Sequence, residues 1–233
     1  MILIDFFDPV ERYRKKCEKF AKSGKCPDEL LKYYQKTLPG SDTPIKDCTI
    51  VSIDFETTGV ESRTDYVLSM GGLEIINNSI EFSTSFHFFV NNSKYIKKDS
   101  AIINHITPEQ LIDGKDPHVA MLDLLDIIAG KIILVHCQYI EVNFIKKELK
   151  LGEHSPLPFL TLDTMAIERS LNHKRMPEDV SLSGIRERRG FPPYEAHNAL
   201  MDSVATAEVF LAQLKDLFGN STPVLSTVYS RSR

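Results

Sequence analysis

The chain has 233 residues, 42% of them hydrophobic, enough for one sizeable core with room for an appendage. Its net charge of −4 argues against a protein that coats long nucleic acid, and no run of about 18 apolar residues predicts a membrane span. Residues 1–5 lack the features of a signal peptide, and Cys17, Cys26, Cys48 and Cys137 form no Cys-x-x-Cys pair, so free thiols and a cytoplasmic location are expected.

Residues 1–47 differ from the rest. Residues 9–22 read as a helix of mixed charge, with Arg12, Arg14, Lys15, Lys16 and Lys19, broken by Gly24 and Pro27. A second helix is predicted from Asp28, a suitable N-cap, to about Thr37, with Leu30, Leu31 and Tyr34 on its apolar side. Residues 38–44 carry Pro, Gly and Ser and read as a linker. The basic residues could meet nucleic acid, but packing on the next domain with solvated charges is favoured.

Residues 48–218 form the main predicted domain. Strands are expected at 49–54, 66–76 and 81–90, with a hairpin turn at Asn77-Asn78-Ser79 and a bulge near Gly71-Gly72. A helix over 117–129, a strand over 131–135, a helix bearing Glu141 and an extended segment at 159–162 follow. Residues 181–189 predict a short helix ended by Gly190. Beyond Pro192-Pro193 a long helix opens, with Leu200, Val204, Ala207, Leu211, Leu214 and Phe218 as its apolar stripe. A strand meander followed by alternating helix and strand indicates an α/β fold with a mixed central sheet. Residues 219–233, rich in Ser and Thr, read as a mobile tail.

Two acids on the first strand stand out. Asp54 and Glu56 are two residues apart, so both carboxylates leave the same face, while Phe55 points to the core. Close anions resist burial unless something positive sits between them, and all-oxygen ligands suit Mg²⁺ or Mn²⁺. Glu141 follows the strand at 131–135. His197 precedes Asp202 by five residues at the opening of the long helix, on a loop or first turn, and Asp202 lies off the apolar stripe.

This ordered set resembles the DEDDh family, the DnaQ-like 3′→5′ exonucleases of the ribonuclease H-like superfamily. Asp54, Glu56, Thr57, Thr58 and Gly59 match its first motif. His197 and Asp202 match its third, and Asn198 stands where a sibling group carries Tyr. Asp163-Thr164-Met165 and Ile106-Thr107-Pro108-Glu109 also look like family segments. Two positions depart from the pattern. Glu141 replaces an Asp, moving the carboxylate by about 1.5 Å, the length of one C–C bond, though some DnaQ-like sequences carry Glu there. Asn104-His105-Ile106 replaces a His-Gly-Ile, which leaves neither Asn104 nor His105 assigned to the substrate.

The resemblance implies a mixed five-stranded sheet flanked by helices, with the helical extension N-terminal to it. It implies two ions, Mg²⁺ or Mn²⁺, held by Asp54, Glu56, Glu141 and Asp202, with His197 as general base and Thr57, Thr58 and Gly59 along the terminal nucleotide. The implied substrate is a single-stranded 3′ end, DNA ahead of RNA, and a DNA polymerase is a candidate partner. The alternatives are an exoribonuclease or oligoribonuclease with the same residues, and a catalytically weak module that binds 3′ ends or a polymerase.

Two further features favour structural readings. Arg186, Arg188 and Arg189 could touch a substrate backbone but read as a solvated helix face. Residues 213–218 superficially resemble a sliding-clamp-binding peptide yet continue a helical stripe.

Overall fold

The computed structural model describes residues 8–171, 179–194 and 197–233. Helix α1 (Pro9–Ala21) is N-capped by the Asp8 carboxylate, which accepts the amides of Val10 and Glu11 at 2.9 and 3.1 Å. A 3₁₀ turn (Asp28–Leu30) runs into the one-turn helix α2 (Leu31–Tyr34). The expected longer helix is therefore absent, and Asp28 does not cap it. Strands β1 (Ile50–Thr57), β2 (Val67–Ile76) and β3 (Ser79–Phe89) come next. Asn77 and Asn78 both have positive φ, the signature of a tight primed hairpin turn.

Two short helices missing from the sequence reading follow: α3 (Lys98–Asn104), ended by His105 in the left-handed region, and α4 (Pro108–Ile112). Thr107 and Gln110 cap α4 reciprocally. Then come α5 (Pro117–Ile128), β4 (Ile132–Val135), α6 (Tyr139–Glu148) and β5 (Leu160–Asp163). Helix α7 (Thr164–Leu171), also unread in the sequence, is capped by the Asp163 carboxylate through the amides of Met165 and Ala166. Helices α8 (Leu182–Arg188), α9 (Ala199–Phe218) and α10 (Leu225–Arg231) complete the described chain.

The five strands form one mixed sheet in the order β3-β2-β1-β4-β5. β1 pairs antiparallel with β2 and parallel with β4. This is the mixed five-stranded α/β sheet expected, with a register shift in the β2–β3 pairing between Gly72 and Glu74. Helix α9 crosses β1 and β2 closely. A Cβ on Gly71 would lie 2.4 Å from the Leu200 amide nitrogen, so only glycine admits the start of α9 there. Ser203 Oγ donates to the Gly71 carbonyl at 2.9 Å, and Ser52 Oγ donates to the Ser203 carbonyl at 2.8 Å. Two buried hydroxyls thus fix α9 against the face of β1 that also carries Asp54 and Glu56.

The tail, read as mobile, carries a packed helix. Leu225, Val228 and Tyr229 are buried at helical spacing in α10, which packs on α1. The linker and tail pair along their backbones: Ile45 N to Pro223 O, Leu225 N to Thr43 O, and Ser226 N to Ser41 O. Abundant Ser and Thr hid a three-residue apolar stripe. Helix α1 joins the same core through Val10 and Cys17, and the Tyr13 hydroxyl bonds both the carbonyl and the amide of Leu157. No helix among the described residues is long and apolar enough to cross a membrane.

Candidate active site

Asp54 and Glu56 reach the end of β1, and Asp202 descends from the first turn of α9. One carboxylate oxygen from each lies within 4.8 Å of the others. They open on a cavity of about 990 Å³, walled by the 57–59 loop, by Ile103 and Asn104 of α3, by Leu182 and Arg186 of α8, and by His197. No cation of the chain bonds any of the three carboxylates among the described residues.

The electrostatics record that imbalance. Burial, then the charges of Glu141, Glu56 and Asp202, hold the Asp54 pKa well above the usual carboxylate range. Burial and Asp202 raise Glu56 to about 7. Burial raises Asp202 as well, opposed by its acceptance of the His197 backbone N–H at 2.9 Å. Oxygen Oε1 of Glu56 is buried with no hydrogen-bond partner.

Glu141 sits in the first turn of α6, only 2% exposed, with its Oε2 also unpartnered. It lies outside the three-carboxylate group, yet its charge is the largest ionic influence on Asp54. Burial, then Asp163, raise Glu141 to about 8. Asp163 accepts the amides of Cys137 and Gln138, both at 3.0 Å, and so ties the turn before α6 to the cap of α7.

His197 is exposed at the cavity wall with φ of 66°, one residue before the cap Asn198 that holds the Met201 amide. It therefore stands on the loop, as expected. Its neighbour Glu195 lies outside the described residues. Thr57, Thr58 and Gly59 all line the cavity, but their polar atoms are engaged locally. Thr57 Oγ1 donates to the Gly59 carbonyl at 2.8 Å, and Thr58 Oγ1 donates to Asp65 at 3.1 Å. A Cβ on Gly59 would fall 2.5 Å from the Asp65 carboxylate. Glycine is thus required here by the packed loop itself.

Phe55 is 6% exposed, in the core as read, while its edge also reaches the cavity. Asn104 is buried and donates from Nδ2 to the Thr57 carbonyl at 3.0 Å, bracing the loop. Of the three arginines at the end of α8, Arg188 is exposed as read, but Arg186 and Arg189 do not belong to a solvated face. Arg186 is buried, bonds Glu208 at 2.5 Å and the Pro192 carbonyl at 2.8 Å, and lies over Tyr194. Arg188 and Arg189 grip the buried Glu168. Gln213 donates from a fully buried position to the Thr164 carbonyl and to Glu168, so the clamp-like stretch is core helix. The sequence reading missed the apolar walls Ile103 and Leu182; Ile103 belongs to a helix too short for a clear periodicity.

A family model described as exonuclease, RNase_T, matches residues 51–210. Among curated proteins, the PolC-type DNA polymerase III of Thermotoga maritima is 30% identical over 172 residues, and that of Staphylococcus aureus is 22% identical over 176. These alignments cover 73% and 76% of this chain but 12% of each polymerase, so the chain spans about an eighth of their length. Among solved structures, the zinc-bound E. coli exonuclease I–ssDNA complex is similar at TM-score 0.61 and 15% identity, over 74% of this chain and 41% of that one. Product-bound exonuclease I is similar at TM-score 0.60 and 12% identity, over 79% and 45%.

Proposed function

The chain belongs to the RNase_T exonuclease family, with a ribonuclease H-like fold, and we propose that it removes nucleotides from the 3′ end of single-stranded DNA by metal-dependent hydrolysis. The observation that carries this reading is the unpaired carboxylate cluster. Asp54, Glu56 and Asp202 converge with no Lys or Arg of the described residues bonded to them, and Glu56 and Glu141 each bury an oxygen without a partner among those residues. Oxygen-only donors with this excess of negative charge fit hard divalent cations, Mg²⁺ or Mn²⁺. Asp54, Glu56, Glu141 and Asp202 would hold two of them. When bound, such ions offset the carboxylate charge and stabilise the attacking and leaving oxygens of an in-line displacement.

The remaining work falls to the protein. The His197 imidazole, at the cavity wall, is the general base for the attacking water in this reading. Its backbone N–H fixes Asp202, so base and carboxylate are placed by the same turn. With the Thr57 and Thr58 hydroxyls spent within the loop, residues 57–59 meet the terminal nucleotide through shape and backbone. The apolar faces of Ile103 and Leu182 suit a base.

DNA is placed ahead of RNA because the related polymerases act on DNA and the similar exonuclease I is seen with ssDNA. The same relatives make association with a DNA polymerase part of this reading. The four free thiols accord with a cytoplasmic setting.

The test is degradation of 5′-labelled single-stranded DNA and RNA of matched sequence, with Mg²⁺, with Mn²⁺ and with a chelator. A metal-dependent ladder shortening from the 3′ end, faster on DNA, is expected. A faster RNA ladder would reassign the substrate. Cleavage of neither would leave a 3′-end-binding module.

A further inference from the structure

A second cavity, of about 580 Å³, lies between α1, α6 and α10 and shares no lining residue with the catalytic one. Arg12, Lys16, Lys146 and Arg233 line it, and no carboxylate side chain does among the described residues. None of these four cations takes part in a salt bridge of the described residues, whereas Arg14 on the same helix is spent on Glu11. The Lys146 ammonium donates to the Glu153 carbonyl at 2.6 Å. Burial, then the neighbouring Lys16, push its pKa down. Glu153, outside the lining, is the one carboxylate that acts on Lys146, and cations gathered with no salt bridge among the described residues suit an anion.

Helix α6 connects this cavity to the catalytic one. Successive helical residues turn by about 100°. Gln138, Val142 and Lys146, four apart, face the basic cavity, Ile140 faces the catalytic cavity, and Glu141 is turned inward. The solvent arc from the Ile140 side to the basic side passes Tyr139, which is 58% exposed. An exposed aromatic between a catalytic pocket and a basic cavity is the combination that single-stranded nucleic acid uses, stacking a base and seating its phosphates. Both α1 and α10 lie outside residues 51–210, so two walls of the cavity are additions to the family domain.

We propose that the basic cavity and Tyr139 carry the single strand upstream of the 3′ end, its backbone phosphates seated among Arg12, Lys16 and Lys146 and one base stacked on Tyr139. This rests on the exonuclease reading, and it gives the N-terminal helix a role in gripping substrate as well as in packing.

The experiment compares Arg12→Glu/Lys16→Glu with Lys15→Glu/Lys19→Glu. All four side chains are exposed on α1, and only the first pair lines the cavity. KM is measured on a trinucleotide and on a strand of ~15 nucleotides. Binding of the longer strand is measured separately by fluorescence anisotropy in chelator, where no hydrolysis is needed. The first pair should raise KM on the long strand about tenfold more than on the trinucleotide, with kcat on the long strand kept. It should also weaken anisotropy binding and flatten its salt dependence by about 0.7 in log–log slope per lost phosphate contact. Tyr139→Ala should weaken long-strand binding by a smaller factor, and the second pair should leave it near normal. Equal losses from both pairs, equal losses on both substrates, or no loss would overturn the proposal. So would unchanged strand binding with lost binding of a mononucleotide or inorganic phosphate, which would assign the cavity to a small anion. Normal anisotropy differences without hydrolysis of any substrate would sink the exonuclease reading and leave the strand path standing.

Discussion

Two carboxylate sites flank the same helix. Near the start of α9, Asp202 meets Asp54 and Glu56 with no cation of the described residues bonded to them. Further along, Gln213 meets the buried Glu168, which also receives both outer nitrogens of Arg189 and one of Arg188. Burial raises the pKa of Glu168, but its bonds from Arg189 and Gln213 win and the net shift is down. At the first site the backbone N–H groups that reach Asp202 and Glu141 do not outweigh burial, and Glu56 and Glu141 rise to about 7 and 8. The chain has the means to satisfy a buried acid and uses them three turns away, so the unsatisfied cluster is the one of the two that could hold an external cation.

The largest effect expected from this contrast is loss of hydrolysis in Asp54→Ala, followed as disappearance of the 3′-shortening ladder. The metal-free protein should keep its Tm or gain slightly, because a buried repulsion is removed. Normal turnover would remove Asp54 from the metal site. His197→Ala should cost about 10²–10⁴-fold in kcat, the usual worth of a positioned general base. Metal affinity should fall only modestly, since the backbone N–H that holds Asp202 survives the substitution. An unchanged kcat would assign the base elsewhere.

At the satisfied site the pattern inverts. Glu168→Ala takes from the half-buried Arg189 its main partner and leaves it only the exposed Asp216, so the fold should lose about 1–3 kcal/mol in urea unfolding. The activity of the folded fraction should remain within severalfold of normal. A neutral result would show that Glu168 does not organise the contact of α7 with α9.

The two sites also answer pH with opposite signs. The unfolded chain sheds carboxyl protons near pH 4, while folded Glu56 and Glu141 keep theirs until about 7 and 8. The metal-free cluster therefore weakens folding progressively between those limits, with the full cost above pH 8. Glu168 is lowered, so its contribution is complete above the ordinary carboxylate range and is lost as pH falls from that range through the lower pKa of the folded state. Metal-free Tm should thus rise as pH is lowered from 8.5 to about 5.5, and saturating Mg²⁺ should raise Tm more at the upper end. A metal-induced shift independent of pH would mean that the bound ion does not meet these carboxylates.

The acids were legible in the sequence because period-two spacing on an apolar strand leaves few other readings, and Asp54 and Glu56 do share the face that α9 covers. The clamping of α9 was less legible. Gly71 reads as a bulge signal along the chain, and only the packed structure shows that the Leu200 backbone needs its missing Cβ. Helices α3 and α7 escaped because each spans about two turns, too short for periodicity, and α7 takes its cap from a residue that ends a strand. Arg186 and Arg189 were misread for a different reason. A charge run is usually solvated, and nothing local reveals that Glu168 and Glu208, on other helices, will meet it.

Glu141 is one of the two positions read as departures from the family pattern, and its replacement should have the smallest effect. Its carboxylate lies outside the three-carboxylate group, in the first turn of α6. A first-turn acid is favoured there whatever its length, because the amides at a helix N-terminus point toward it. Glu141→Asp draws the carboxylate back by about 1.5 Å. The anchoring of Cys137 and Gln138 amides by Asp163 holds the helix start in place, so the backbone does not follow the shorter side chain. The variant should keep kcat within about tenfold, equal to about 1.4 kcal/mol at the transition state. Any loss should be greater with Mg²⁺, which demands near-ideal octahedral geometry, than with Mn²⁺. Complete loss with both ions would mean that Oε2 of Glu141, buried and unpartnered as it is, sets the position of an ion that the three front carboxylates cannot hold alone.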